Sequence, residues 1–168
     1  KAVLSWRFAN QTFEKEPWLL LELAFAAEGK AVNLNREDVA LLGPDGERIP
    51  LPGQKRFAEG VRDPLQLVRR ASVARDPLDN YFSRPTQFES LRFFTVPGGS
   101  VVQDEASGGP SWLIQGDLFF EAPTGVWKPG NYTLVLKNKT MDVALPFSLP
   151  AGELKKDSKK GDEKVVPW

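Results

Sequence analysis

The two alternating segments near the end of the chain constrain its fold more than any other feature. Residues 130–137 (GNYTLVLK) and 141–149 (MDVALPFSL) flank a short turn at 138–140, and a Pro-Gly corner at 129–130 precedes them. Alternation of apolar and polar side chains with period two is typical of strands that bury one face. Because the short turn sends the second strand back along the first, the pattern predicts an antiparallel sheet.

Several earlier segments also have the character of strands. The apolar ones are residues 3–8, 18–25, 88–96 and 111–121. Residues 18–25 (WLLLELAF) are apolar on both faces, which predicts a central strand or a covered outer face. Residues 38–42 and 47–51 flank a Gly-Pro-Asp-Gly sequence, which suits a tight hairpin turn. The sequence therefore predicts an all-β fold.

The chain has no Cys and no His, which excludes most common catalytic designs. Thiolate and imidazole metal sites, haem ligand pairs and Ser-His or Cys-His nucleophile systems all need those side chains. Carboxylate-only chemistry remains, but Asp117 and Glu121 on one predicted strand would lie about 13 Å apart, farther than glycosidase carboxylates. We therefore expect no catalytic residue, metal site or cofactor, unless two acids from different strands meet in a cleft.

Charge and hydropathy disfavour two classes of partner. Lys plus Arg equals Asp plus Glu, at 22 each, so no net field attracts nucleic acid. The apolar runs, such as residues 18–21, are too short to span a bilayer. The chain starts at Lys1 rather than Met, from which we expect a processed protein that is periplasmic, envelope-associated or secreted. A trimmed cytosolic protein would look the same.

Residues 54–87 interrupt the strand pattern and predict a helical insertion. The sequence Arg-Asp-Pro-Leu occurs at 62–65 and again at 75–78, and each copy places an Asp N-cap before Pro at the first helical position. We expect two short helices. The first is expected to cap an open end of the sheets with the face formed by Leu65, Val68 and Ser72.

Arginine is abundant in this insertion, and arginine is enriched in protein interfaces. An ordinary solvated helix face is the alternative.

After Pro150, at the end of the predicted 1–150 domain, residues 151–168 are charged and predict a flexible tail that ends in an apolar Val-Val-Pro-Trp peptide. The candidate residues for binding a protein partner are Arg62, Arg69, Arg70, Arg75, Tyr81 and Trp168.

Tryptophan supports a different ligand class, because flat indole rings stack on sugar rings and bury large areas. Of the five tryptophans, Trp112 and Trp127 flank predicted loops and are the candidates for sugar binding. Closing one end of the sheets is the alternative role for both.

The closing segment also carries a resemblance. Residues 119–123 (FFEAP) and 127–134 (WKPGNYTL) resemble the last strands of bacterial immunoglobulin-like or fibronectin-like sandwiches, where a Pro-Gly turn precedes a strand that opens with Tyr. The resemblance implies an antiparallel immunoglobulin-like sandwich, here with a helical insertion, and a role in adhesion, carbohydrate binding, assembly or spacing. Our hypothesis is a non-catalytic module outside the cytoplasm that binds another protein, with carbohydrate binding as the alternative.

Overall fold

The computed structural model describes residues 1–150, which form mostly β-strands in three sheets. The strands are β1 (Ala2–Ser5), β2 (Trp18–Phe25), β3 (Val32–Asn35), β4 (Val39–Leu42), β5 (Arg48–Pro50), β6 (Gln87–Ser90), β7 (Glu105–Gly108), β8 (Trp112–Glu121), β9 (Gly130–Lys137) and β10 (Asp142–Leu149). The helices are α1 (Arg7–Thr12), α2 (Gln54–Gly60) and α3 (Pro64–Ser72), with 3₁₀ helices at Arg36–Asp38 and Leu78–Tyr81. The predicted tail, including Trp168, lies outside the described residues.

The strands are arranged as two sheets of four strands and one of two. Sheet 1 has the order β1-β2-β8-β6, sheet 2 the order β10-β9-β4-β5, and sheet 3 pairs β3 with β7. All pairs are antiparallel except β6 with β8, which is parallel. The prediction of an antiparallel sandwich is therefore wrong at β6. The connection through residues 91–111 is long enough for the crossover that a parallel pair requires.

The inner faces of sheets 1 and 2 share one hydrophobic core. Alternate residues of β2, including Leu19 and Leu21, pack there with Leu118 of β8, and sheet 2 contributes Leu41 and Leu134. All eight residues of β2 are buried, because its other face is also covered. The prediction of a central or covered strand at 18–25 is confirmed.

The outer face of sheet 1 is covered by a helical layer, which we define as α2, α3 and the 3₁₀ helix at Leu78–Tyr81. Side chains from this layer, and from the residues that closely follow α2 and α3, pack on the outward residues of β2 and β8 in two further clusters. The first has Phe57, Val61, Leu67, Ala71 and Ala74 against Trp18, Leu20 and Phe119, and the second has Leu78 against Ala24 and Leu113. The insertion thus covers a sheet face rather than capping an end, contrary to the prediction.

The inward face of α3 also differs from the prediction. Leu67 and Ala71, four residues apart, are buried against sheet 1, whereas Leu65 is 37% exposed. Val68 of the predicted face is partly buried and packs against the same cluster. A helix of nine residues offers two apolar stripes, and contact with Phe57 favours the one at 67 and 71. The Asp63 N-cap is confirmed, because its carboxylate accepts a 3.0 Å bond from the Gln66 N–H. Asp76 caps no helix; its carboxylate bonds to other partners described below.

Both predicted hairpins are confirmed. β4 pairs with β5 through a turn in which Gly46 has a φ of 79°, a conformation that glycine adopts without strain. β9 pairs with β10 along their whole length. The Asn138 side chain accepts bonds from the backbone N–H groups of Thr140 and Met141, at 2.9 Å each, and closes this turn.

Other strands begin or end at residues that differ from the predicted ones. The strand predicted at 3–8 ends at Ser5, and the chain turns into α1 two residues later. The strand predicted at 88–96 is limited to β6, and the predicted polar loop at 97–110 contains β7. These differences arise where strands are short or polar, so period two is not visible.

Candidate functional site

A groove of about 570 Å³ opens on the outer face of sheet 1, beside the helical layer. Its floor is formed by β6 and β8, including Leu113 and Gln115. Val68 and Arg75 form the wall on the helical side. The groove exists because the helical layer covers β2 and only part of β8, which leaves the edge of the sheet open.

Residues from the segment 92–100 form a further part of the groove lining, and two side chains fix this segment in place. The Gln54 amide donates to the Thr95 carbonyl at 3.0 Å and accepts from the Thr95 N–H at 2.9 Å. The Arg36 guanidinium donates to the carbonyls of Phe93 and of Pro52, the latter at 3.0 Å, and lies over the Phe93 and Phe94 rings. These hydrogen bonds fix this part of the groove lining without the help of a ligand.

Phe88 is the main exposed apolar residue of the groove. It lies on β6 opposite Leu113 in the parallel register and is 65% exposed. β6 is an edge strand that pairs only with β8 in sheet 1. An unpaired strand edge is a template for pairing with another chain, and the exposed Phe88 ring lies on this edge strand.

An ion cluster ties the helical layer to sheet 1 at the end of the groove. The Arg75 guanidinium donates to both oxygens of Asp117, at 2.8 and 2.6 Å, and its Nη1 lies 3.6 Å from Glu22 Oε1. The Asp76 carboxylate accepts from the Ser5 hydroxyl and lies 3.5 Å from Arg7 Nη1. The linker after α3 is thereby attached to β1, β2 and β8.

Glu22 is the unusual member of the cluster, because its side chain is only 4% exposed and its Oε2 has no hydrogen-bond partner. The pKa of Glu22 is raised to about 7, chiefly by burial; Arg75 opposes this rise, and the charges of Asp117 and Asp76 add to it. Asp117, in turn, raises the pKa of Arg75 by accepting its hydrogen bonds. Glu22, an acid with a pKa near neutral pH, thus lies beside the bidentate ion pair of Arg75 and Asp117.

Glu22 and Asp117 are opposite each other on neighbouring strands, so two acids do approach, as a carboxylate hydrolase would require. Asp117 lines the groove but Glu22 does not, and Asp117 is bound by Arg75. The pair therefore does not present two carboxylates to one ligand. Within residues 1–150 no three acidic side chains are placed to hold a metal ion.

The arginines predicted as partner-binding residues do not share one environment. Arg75 lines the groove, and Arg70 pairs with Glu16 at 2.8 Å and lies over the Phe8 ring. Arg62 and Arg69 are exposed and form no ion pair with the described residues. Arg75 and Arg70 therefore have structural partners, and the binding role of the four stays a prediction.

The aromatic candidates are likewise separated. Tyr81 is 58% exposed at the end of its 3₁₀ helix and does not line the groove. Trp127 is 3% exposed, and its indole N–H donates to the Pro17 carbonyl at 3.0 Å. Its burial contradicts its assignment to a sugar platform, because no indole face is accessible. Trp112 is partly buried and lines a separate pocket.

The residues that sequence reasoning missed are Phe88, Arg92 and Glu22. The first two line the groove or its rim, but their proximity depends on a parallel pairing that has no local signal. Glu22 did carry a signal, since it is the one charged residue in the apolar segment WLLLELAF. A lone carboxylate inside a buried strand indicates a partner from elsewhere in the fold.

In the described part of the chain, no helix has the length and apolar character needed to cross a membrane. A scan of protein-family models, a search of curated proteins and a search of solved structures found no significant match to this chain. The function of this chain must therefore be inferred from the geometry of residues 1–150.

Proposed function

We propose that this chain is a non-catalytic interaction module whose groove binds an extended segment of another protein. The observation that carries the proposal is the exposure of Phe88 on the edge strand β6, at the mouth of a preformed groove. Exposed apolar patches beside polar rims are typical of protein-binding sites. An apolar side chain of the partner would contact Phe88 and the Phe94 ring.

An extended segment suits the site because the free edge of β6 offers unpaired backbone groups. A strand added to a sheet edge gains affinity from main-chain bonds and specificity from side-chain pockets. The Arg92 guanidinium on the groove lining has no ion-pair partner among the described residues. We therefore expect the bound segment to combine an apolar residue with an acidic one.

An immunoglobulin-like relationship is part of the proposal and is supported by two features. Sheets 1 and 2 share a core, and the Tyr132 hydroxyl donates to the Lys128 carbonyl at 2.8 Å. A Tyr that bonds to the backbone a few residues upstream is a hallmark of immunoglobulin-like corners. The parallel strand β6 and the helical layer depart from that pattern.

The proposed location is outside the cytoplasm, in an envelope or surface assembly. Its support is the resemblance of the closing strands to bacterial sandwich modules with such roles. Fractionation of source cells, with an antibody against residues 1–150, tests it. Recovery of the protein only with cytosolic markers would contradict this location.

The binding proposal is tested by differential capture with the full chain. Wild type, Phe88→Glu and a matched control, Val126→Glu, are each cross-linked in source-cell extract, and captured proteins are identified by mass spectrometry. Val126 is also exposed, at 58%, but lies away from the groove. We expect a protein that is captured by wild type and the control and is lost with Phe88→Glu.

Capture that is equal for all three forms, or no capture by wild type, would contradict the proposal. A further form that ends at Pro150 separates the groove from the predicted docking of Trp168. If the groove is the site, this form captures the same protein. Peptides from the captured protein then identify the bound segment by their competition.

A further inference from the structure

A second open pocket, of about 420 Å³, lies where sheet 3 meets the start of β8. It shares no lining residue with the groove. None of its lining residues is charged: they are Ala31, Val32, Asn33, Ser107, Gly108, Gly109, Trp112 and Thr140. Its volume falls in the range of small-molecule sites, about 300–1,000 Å³.

Trp112 forms one side of this pocket, and two glycines give it room. A Cβ atom on Gly109 would lie 3.0 Å from the Trp112 indole nitrogen, and one on Gly108 would lie 3.3 Å from Trp112 Cβ. The indole therefore rests directly against a glycine backbone. A residue with a Cβ at either position would press on Trp112, which would have to move by a few tenths of an ångström to accommodate it.

The backbone before Trp112 is held in an unusual conformation. Ser111 has a φ of 61°, a region that residues with a side chain rarely adopt. Two backbone bonds of 3.0 Å hold it, from the Ser111 N–H to the Ala27 carbonyl and from the Thr86 N–H to the Ser111 carbonyl. Such conformations cost free energy and concentrate at ligand sites.

Polar groups without protein partners line the same pocket as the indole. Asn33 and Ser107 are exposed and directly opposite each other across β3 and β7. Neither side chain forms a hydrogen bond with the described residues, and the same holds for the Trp112 indole N–H. The buried Trp127, by contrast, has its N–H satisfied. The pocket thus combines an aromatic surface with free amide, hydroxyl and indole hydrogen-bonding groups.

We propose that this pocket binds a neutral saccharide, with a sugar ring against Trp112 and its hydroxyls bonded to Asn33 and Ser107. The apolar face of a pyranose ring matches an indole, and amide and hydroxyl groups both donate and accept, as sugar hydroxyls do. The lack of charge in the lining favours a neutral sugar over an anionic one. The site involves Trp112 alone of the two predicted tryptophans and is independent of the protein-binding groove.

The experiment uses the full chain and a set of neutral probes, namely cellotetraose, maltotetraose and N-acetylglucosamine tetramer. Each is titrated by calorimetry and by tryptophan fluorescence to 10 mM. The variants are Asn33→Ala, Ser107→Ala and Trp112→Phe, with Phe88→Glu as the control at the groove. Far-ultraviolet circular dichroism and thermal unfolding check that each variant folds.

We expect at least one probe to bind. We expect Asn33→Ala, a change at an exposed position, to weaken its binding at least fivefold, and Trp112→Phe to reduce the fluorescence change. The Phe88→Glu variant should bind the saccharide probe as wild type does. Failure of the saccharide proposal can therefore be distinguished from failure of the protein-binding proposal. No binding of any probe at 10 mM, or equal affinity of wild type and Asn33→Ala, would overturn the proposal.

Discussion

Replacing Glu22 with Gln should make the protein more stable at alkaline pH and leave it nearly unchanged at acid pH. The substitution keeps the shape of the side chain and removes its ability to ionise. Glu22 is 3% exposed, faces Arg75 and Asp117, and lies near Asp76. A charge in this place is therefore poorly solvated, although Arg75 offsets part of the cost.

The magnitude follows from the pKa of Glu22, which rises from its ordinary value of 4.5 to about 7. Each pKa unit corresponds to about 1.4 kcal/mol, so the full effect is about 3 kcal/mol. The folded state binds the proton more tightly than the unfolded state. The stabilisation is therefore complete below pH 4.5 and is lost as the pH rises through about 7.

Urea unfolding of wild type and Glu22→Gln, at intervals from pH 4.5 to 8.5, measures this effect. Other acids titrate in both proteins, so the difference in free energy of unfolding isolates Glu22. Above pH 7 we expect the free energy of unfolding of the variant to exceed that of wild type by up to about 3 kcal/mol. The matched control is Glu28→Gln, at an exposed position, for which we expect a difference within about 0.5 kcal/mol throughout. If the difference between Glu22→Gln and wild type is equally independent of pH, the reasoning about the buried acid is refuted.

Three further substitutions test other contacts by urea unfolding. Arg75→Ala leaves two acids unpaired; because Arg75 is 39% exposed, we expect a loss of about 1–3 kcal/mol, larger at pH 8 than at pH 5. Gly116→Ala would place a Cβ 2.4 Å from the Leu91 carbonyl oxygen, and we expect a loss of about 1–3 kcal/mol. Tyr132→Phe removes the hydroxyl that donates to Lys128, and we expect a loss of about 1 kcal/mol.

Each of these has its own comparison. Arg75→Lys should recover part of the Arg75→Ala loss, and no recovery would show that charge at this position is unimportant. Gly53→Ala serves as the control for Gly116→Ala, because a Cβ there meets nothing within 4 Å. Gly53 is the N-cap of α2, where Ala is less favourable than Gly, so we expect a loss of about 0.5 kcal/mol; a loss as large as that of Gly116→Ala would contradict the steric argument. An unchanged stability of Tyr132→Phe would mean that its bond to Lys128 contributes nothing net.

The parts of the fold that could be predicted are those whose pairing is local or whose period is clear. β9 and β10 are adjacent in sequence and alternate along eight residues each, so their hairpin was visible. The apolar side chains on both faces of β2 indicated that this strand is central or covered on both sides. The Asp63-Pro64 start of α3 carried its own capping chemistry.

The parts that could not be predicted depend on contacts between distant residues. β6 has four residues, of which only Phe88 is apolar, and it is defined by pairing with β8 more than 20 residues later. β3 and β7 are half polar and are joined across about 70 residues. The groove depends on all of these placements together, so no single segment indicates it. Trp127 was misassigned because its position beside a predicted loop did not reveal burial.

The insertion explains why this chain has a groove where a two-sheet fold alone would have a flat, solvated face. The helical layer buries the outward residues of β2 with Phe57 and Leu67, but its three short helices are too narrow to reach β6. The ion pair between Arg75 and Asp117 fixes the boundary of the covered region, and the open strip beyond it is the groove. Glu22 is buried beside this ion pair, and local opening of residues 73–78 would return its carboxylate to water. The pH that charges Glu22 should therefore weaken this side of the groove before it affects the core between the sheets. Protection factors, which correct hydrogen exchange for its intrinsic increase with pH, should fall above pH 7 first at residues 73–78, while those of β9 stay unchanged.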